Sequence, residues 1–344
     1  MQNIADFVNS TINNYRIDSS IIQSVQGCLG KEWKPNGWIS LILSNRECVV
    51  LRFNNGVFMN QGFVVNEQKV LKVFGNHQIG AISYNEEQSI EVVEGIVDLD
   101  HGSRFEGLVL TENNFGIPFG YGEMYDDDGI LVYKGIMINW KRFGYGTSYH
   151  NNGCIEYEGY WCDDNRFGIG KVYDRYGKLV NECEWYNGIE CDIEEIYEGD
   201  GSKPLNIGMK HLKLIDYCVL VDWDVSLLYN LESIEIGNDC FGSVQTFKID
   251  RLNRLKTIKI GDNSFTQKKN GWGIDESKSF HILNCKSLES IQIGEYSFSD
   301  YAGDFELKNL PQLQSIQIGT IGSQSWNFSY CSFVIRGIDM ILNI

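Results

Sequence analysis

The 344-residue sequence lacks any stretch close to the roughly 20 consecutive apolar residues of a membrane-spanning helix, which excludes that kind of segment. Its first residues, MQNIADFVNSTINNY, have neither a basic start nor a continuous apolar core. They do not read as a secretory signal, so the expected location is the cytoplasm, with peripheral attachment to membrane or cytoskeleton left open. The ten cysteines contain no short pair of the kind used by zinc sites, and five scattered histidines add no ligand cluster. No metal or cofactor is expected, and the cysteines are expected to be reduced, partly buried small hydrophobes. Basic charge is scarce as well: 29 Lys and Arg against 46 Asp and Glu leave a net charge of −17. That balance opposes general binding to nucleic acid and adsorption to anionic lipid, and favours solubility.

What the sequence does have is periodicity. Gly120, Gly144 and Gly168 stand 24 residues apart, as do Gly122, Gly146 and Gly170, and Gly129, Gly153 and Gly177. Tyr125, Tyr149 and Tyr173 keep the same interval. A fixed period of this length marks stacked units rather than one closed globule. The fullest copy runs Tyr157-Glu158-Gly159-Tyr160-Trp161, then Arg166-Phe167-Gly168-Ile169-Gly170. The copy before it has Tyr133-Lys134-Gly135 and Arg142-Phe143-Gly144-Tyr145-Gly146, and the first has Phe105-Glu106-Gly107, with an insertion around Asn113 and Asn114. Cys154 with Cys162, and Cys183 with Cys191, echo the repeat. Each copy reads as a β-hairpin whose head aromatic packs against the tyrosine of its second strand. Extending the 24-residue columns upstream finds no matching glycines.

These units resemble the MORN family (membrane occupation and recognition nexus), whose repeat begins Tyr-x-Gly-x-Trp and continues Gly-x-Gly. Trp161 and Trp185 hold the tryptophan position, while Val109 and Met137 stand there in the earlier copies. The resemblance implies a hairpin array and invites a membrane role. Residues 105–190 carry seven Lys and Arg against fourteen Asp and Glu, so only stereospecific capture of phosphoinositide headgroups by Lys141, Arg142, Arg166 and Lys171 fits that role.

A second periodicity follows. Leu231-Glu232-Ser233-Ile234-Glu235-Ile236-Gly237 recurs from Leu255, Leu288 and Leu313, interleaved with Phe247/Ile249, Phe280/Ile282, Phe305/Leu307 and Phe333/Ile335. This resembles the leucine-rich repeat in its isoleucine-rich, BspA-like form, with Cys240-Phe241, Ser264-Phe265 and Ser297-Phe298 as the following pair. A parallel solenoid is expected. Its usual asparagine ladder is weak: Asn263 fits, but Asp239, Tyr296 and Ile321 occupy the equivalent places. No terminal cap is evident at the Phe333–Ile335 end.

The expected architecture is therefore mainly β: a β-rich lead-in with short helices and decayed repeats over 1–104, a MORN-like hairpin array over 105–192, a linker over 193–204, and a leucine-rich-repeat-like parallel β-solenoid over 205–344. Within the lead-in, Ile4, Phe7, Val8 and Ile12 have helical spacing, and Ile21, Ile22, Val25 and Leu29 suggest a second short helix. Asn54-Asn55-Gly56 signals a hairpin.

Chemistry is hard to find. The Gly-x-Gly pairs lack a third glycine and repeat as architecture does, and Gly168-Ile169-Gly170-Lys171 has no helix after it. Asp126-Asp127-Asp128 reads as a solvated turn. Glu194-Glu195 and Asp222-Trp223-Asp224 have nothing to place them across a cleft. No serine or cysteine has an identifiable base, so no enzyme is expected. Strand alternation makes the solenoid face the better candidate: Ser233, Thr257, Ser290 and Ser315 would form one exposed ladder, and Glu235, Lys259, Gln292 and Gln317 its neighbour. Lys248, Arg251, Arg254, Lys256 and Lys259, with Lys268 and Lys269, form the one basic concentration, diluted by Asp250 and Asp262. The expected role is a scaffold or adaptor for protein partners through the ladders, with the array as spacer or self-association surface.

Overall fold

The computed structural model describes residues 2–338 except 13–14, 31–32, 76, 80–81, 85–90, 100–101, 113–114, 187, 191–194, 198–204, 219–222, 268–273 and 321–324. The protein is mainly β, with antiparallel hairpin sheets followed by a parallel solenoid. It divides into two compact units, one of Val8–Cys28 and Pro35–Asp192, the other of Met1–Phe7, Leu29–Lys34 and Ile193–Ile344. Among the described residues no helix is long and apolar enough to cross a membrane.

The first unit is built on two sheets. Ile22–Leu29, Pro35–Leu43, Cys48–Asn54, Val57–Val65 and Val70–Phe74 lie side by side in chain order. Ile22–Leu29 is thus a strand and not the second short helix. It is buried on both faces, so its apolar residues fall without alternation and imitate helical spacing. Asn55 and Gly56 take φ of 46° and 84°, the left-handed pair that a tight hairpin turn needs. The larger sheet has nine antiparallel strands in unbroken chain order, from Val93–Asp98 to Ile189–Glu190. One apolar core joins the two sheets: Ile42, Val50, Phe63 and Val65 from the first meet Phe119, Ile136, Phe143 and Phe167 from the second. Burying this much apolar area is what makes hairpins stable that would be marginal alone.

The opposite face of the nine-stranded sheet carries its own cluster of Phe105, Val109, Tyr133, Met137, Tyr157, Trp161 and Trp185. Val109 and Met137 thus occupy the same layer as the two tryptophans. Beneath the rings runs a row of directly paired glycines: Gly95, Gly107, Gly122, Gly135, Gly146, Gly159 and Gly170, ending at Cys183. A Cβ on Gly146 would stand 2.2 Å from the Tyr133 hydroxyl, and one on Gly159 2.5 Å from that of Tyr157, so each ring claims the space over its own glycine pair. The head aromatic therefore does not pack on the tyrosine of the second strand. Alternation puts Tyr125 and Tyr173 on the other face, where their hydroxyls donate to Glu123 at 2.6 Å and Glu158 at 3.4 Å. Gly95 also corrects the upstream search. The connection from Gly95 to Gly107 is one residue shorter than that from Gly122 to Gly135, and the insertion further shifts the phase, so a fixed step of 24 misses it.

In the second unit, Glu195–Tyr197, His211–Leu214, Ser233–Ile236, Thr257–Ile260, Ser290–Ile293 and Ser315–Ile318 form one parallel sheet. Thr246–Asp250, Ser279–Leu283, Asp304–Lys308 and Ser332–Arg336 form another. Phe247, Phe280, Phe305 and Phe333 stand in one register, as do Ile249, Ile282, Leu307 and Ile335. Between the sheets Phe241, Phe265, Phe298 and Phe328 stack at 4.8–5.0 Å, within the range for favourable aromatic pairs. All four phenylalanines have positive φ, 53–59°, and each donates its backbone N–H to a carbonyl of the coil before it.

Two polar ladders hold the coils. Asp216, Asn238 and Asp262 each accept from the backbone N–H one residue after the next coil's glycine, at 2.7 Å, so the Asx ladder runs one residue before Asp239 and Asn263. Buried Ser264 and Ser297 accept from the N–H of Cys240 and Ser264 and donate to Gly237 and Gly261 carbonyls. Tyr296 has its own positive φ in the column expected for asparagine, and Ile321 lies outside the described residues.

Candidate interaction surface

The parallel sheet places the two sequence-predicted ladders in register. Ser233 pairs with Thr257, Thr257 with Ser290, and Ser290 with Ser315; Glu235, Lys259, Gln292 and Gln317 follow in the same order. Thr257, Lys259, Gln292, Ser315 and Gln317 are exposed, and Ser233, Glu235 and Ser290 half-buried. The isoleucines between them point inward and are 1–2% exposed from Ile234 to Ile293. His211 and Lys213 add a fifth strand to both ladders, opposite Ser233 and Glu235. They escaped the sequence pattern because the first coil has lost its leading motif, although His211-Leu212-Lys213-Leu214 alternates as the later strands do. At strand spacing of about 4.8 Å, five strands span roughly 19 Å.

The first column is one of hydroxyls, with His211 Nδ1 2.8 Å from Ser233 Oγ. Its neighbour is charged at one end and neutral at the other. Glu235 lies between Lys259, at 3.0 Å, and Lys213, at 3.5 Å. The Lys259 hydrogen bond, with the nearby charges of both lysines, holds the Glu235 carboxyl below its ordinary range. Beside it Lys256 bonds Glu232 at 2.7 Å and lowers that carboxyl in the same way. Past Lys259 the column becomes Gln292 and Gln317, amides that offer both donors and acceptors.

The basic concentration is dispersed. Lys248 belongs to the other sheet of the solenoid, Arg251 pairs with Asp6 and Asp250, and Arg254 donates to Asn230 at 2.6 Å. Lys268 and Lys269 lie outside the described residues.

The four headgroup candidates do not form one cluster. Arg142 donates from Nε to Asp164 at 3.0 Å and lies 3.9 Å above the Trp161 ring. Arg166 pairs with Glu156 at 2.9 Å and lies 4.6 Å over Tyr157 and 5.2 Å over Trp185. Lys141 reaches Asp164 at 3.4 Å and Asp163 at 3.6 Å. Lys171 points to the opposite face, in a row where Glu158 and Glu182 flank it. Asp163 and Asp164, with φ of 50° and 69°, make the hairpin turn that aims Asp164 at Arg142, a role that sequence spacing alone does not reveal.

Of the remaining candidates for chemistry, Asp126 and Asp224 close turns. Asp126 accepts from the N–H groups of Asp128 and Ile130 to close its turn. Asp224 does the same for Ser226, Glu195 lies in the first solenoid strand, and Glu194 and Asp222 lie outside the described residues. Among the described residues no three of His, Cys, Asp and Glu gather as metal ligands, and none of nine cysteines is in a disulfide. Burial pushes the Cys162 and Cys285 thiols up to about 12, and that of Cys331 to about 11, so these sulfurs are protonated at neutral pH. No protein-family model and no curated protein matches the chain.

Proposed function

We propose that the chain is a non-enzymatic scaffold of the cytoplasm, a MORN-like hairpin array followed by a leucine-rich-repeat-like solenoid. Its solenoid ladders dock an extended segment of a protein partner. The observation that carries this reading is the register of the two ladders. Five strands hold four small hydroxyls and His211 in one column and long polar side chains in the next, a repeating surface of donors and acceptors suited to an extended chain. The MORN-like assignment rests on the head aromatics over paired glycines. The leucine-rich-repeat-like one rests on the stacked Leu-x-x-Ile-x-Ile coils. The fold by itself supplies no partner.

The test is affinity capture with the full chain and with a Lys259→Glu, Ser290→Trp variant. Proteins held by the parent and lost by the variant support docking on the ladders; an unchanged set removes the ladders from the account. Headgroup capture by Lys141, Arg142, Arg166 and Lys171 is the lesser proposal, because three of the four would leave existing ion pairs and the fourth lies on the other face. Flotation with phosphoinositide vesicles at physiological salt, abolished by Arg142→Gln and Arg166→Gln, would reverse that order.

A further inference from the structure

The nine-stranded sheet ends very differently at its two edges. Ile189–Glu190 is a two-residue strand, a short edge of the kind that discourages further pairing. Val93–Asp98 is six residues long, and among the described residues no strand lies beyond it. It contains neither lysine nor proline, and it exposes Val93 at 48% and Ile96 at 63%. Such an edge is a template for another strand unless something blocks it.

The glycine row says which strand fits. Seven consecutive strands set glycine opposite glycine, and Gly95 is the outermost member. We infer that the Val93–Asp98 edge pairs antiparallel with the same strand of a second copy of this chain, about a two-fold axis through Gly95, joining two nine-stranded sheets into one. This partner and surface are separate from the solenoid ladders and from the scaffold reading placed on them.

The strand is self-complementary in that register. A two-fold axis perpendicular to the sheet keeps each face on its own side, so it allows only registers in which the two paired numbers have an even sum. Centred on Gly95, the pairs are Gly95 with Gly95, Val93 with Val97, Glu94 with Ile96, and Val92 with Asp98. No two acids face each other. Centred on Ile96, Glu94 would oppose Asp98; centred on Glu94, it would oppose itself, and like charges directly opposite are destabilising. The Gly95 register also extends the ring-bearing face, since Val97 already packs against the cluster that holds Phe105 and Tyr133. One repulsion remains, the diagonal approach of the two Glu94 carboxylates.

Sedimentation of the full chain from micromolar to near-millimolar concentration tests the inference. The expected result is a reversible dimer that is weakened at least tenfold by Val93→Lys with Ile96→Lys, and strengthened severalfold by Glu94→Gln. Both lysine sites are exposed, so the variant folds, and an unchanged far-ultraviolet spectrum checks this. The register is read by mixing Glu94→Cys and Ile96→Cys chains, oxidising them and mapping linked peptides; the 94–96 link is expected in excess over 94–94 and 96–96 links. A monomer throughout the range overturns the inference. So does a dimer indifferent to the two lysines, or one whose links favour 96–96.

Discussion

The Arg142 guanidinium lies over the Trp161 ring at 3.9 Å while Asp164, in the next hairpin turn, accepts from its Nε. Arg166 repeats the arrangement one hairpin on, between Tyr157 and Trp185 with Glu156 as its acid. These arginines roof the aromatic layer and tie successive hairpins together. Truncating Arg142 to alanine is therefore expected to destabilise the first unit by about 2 kcal/mol, through lost cation–π contact and charge-assisted hydrogen bonds. Thermal denaturation measures it. A change within about 0.5 kcal/mol, normal for an unengaged surface residue, would show the side chain to be free for a ligand.

Glycines of the two kinds in each repeat separate by the same measurement. At Gly170 a Cβ would lie 2.3 Å from the Tyr157 hydroxyl and 2.5 Å from two of its ring carbons. The ring is held between Trp161 and Trp185 and has little room to move. Gly170→Ala should therefore cost about 1–3 kcal/mol through overpacking. Gly177 has open space around it but a φ of +79°, so Gly177→Ala should cost about 1–2 kcal/mol from backbone strain alone. Repacking tells them apart: shortening Tyr157 to leucine should relieve most of the added cost of Gly170→Ala and leave that of Gly177→Ala intact.

Much of this was legible in the residues because repetition averages out local noise. The in-register Phe247, Phe280, Phe305 and Phe333, and the ladders from Ser233 to Ser315 and Glu235 to Gln317, follow from spacing and strand alternation alone. Where a unit is singular, the signal fails. Ile22–Leu29 is buried on both faces and has no alternation to read. Gly95 sits out of phase, and His211 lacks the leading leucine. Engagement was not legible either, because Arg142 and Arg166 look like free cations until the Asp163-Asp164 turn and the strand pairing bring acids to them.

In the solenoid ladder, Lys259 is the chief cause of the lowered Glu235 carboxyl. A carboxyl lowered in the folded state adds stability above its ordinary titration range, and loses it as pH falls through the lowered value. Lys259→Ala should raise the Glu235 midpoint toward the ordinary range, leaving Lys213 to hold part of the shift, as carboxyl-carbon NMR would show. The accompanying stability change is expected to be under about 1 kcal/mol, since both side chains are substantially solvent-exposed. An unmoved midpoint would mean that the two side chains do not pair in solution.

Ser264 is fully buried and links three coils: it accepts from the Cys240 N–H at 3.2 Å, donates to the Gly237 carbonyl at 2.8 Å, and its own N–H donates to Ser297. Removing the hydroxyl strands one donor and one acceptor away from water. Ser264→Ala should cost about 1–3 kcal/mol in chemical denaturation. Ser264→Cys should cost less, because Cys240 already fills the equivalent place one coil earlier, its sulfur 3.3 Å from the Cys218 N–H. Equal losses for the two variants would assign the effect to packing instead of hydrogen bonding.

The most consequential polar contact in the solenoid is the pair formed by Lys278 and Asp300, whose side chains are each 4% exposed. Lys278 Nζ donates to Asp300 Oδ2 at 2.9 Å and to the Gly242 carbonyl at 3.1 Å, and Gln267 N–H donates to the same carboxylate oxygen. Asp300 Oδ1 has no hydrogen-bond partner among the described residues, so the carboxylate is desolvated with only half its acceptor capacity used. Coulombic attraction in such a site is offset by the cost of taking both ions out of water, whereas removing one partner leaves the other buried and uncompensated. Lys278→Met and Asp300→Leu are each expected to cost about 3–5 kcal/mol alone. Together they should cost far less than their sum, because the double variant buries no ion and keeps the volume filled. Recovery will stop short of the parent, since Gln267 N–H loses its acceptor and Gly242 its donor. A denaturation cycle over the four proteins measures the coupling directly, and strictly additive losses would show that the pair is already hydrated in the folded protein.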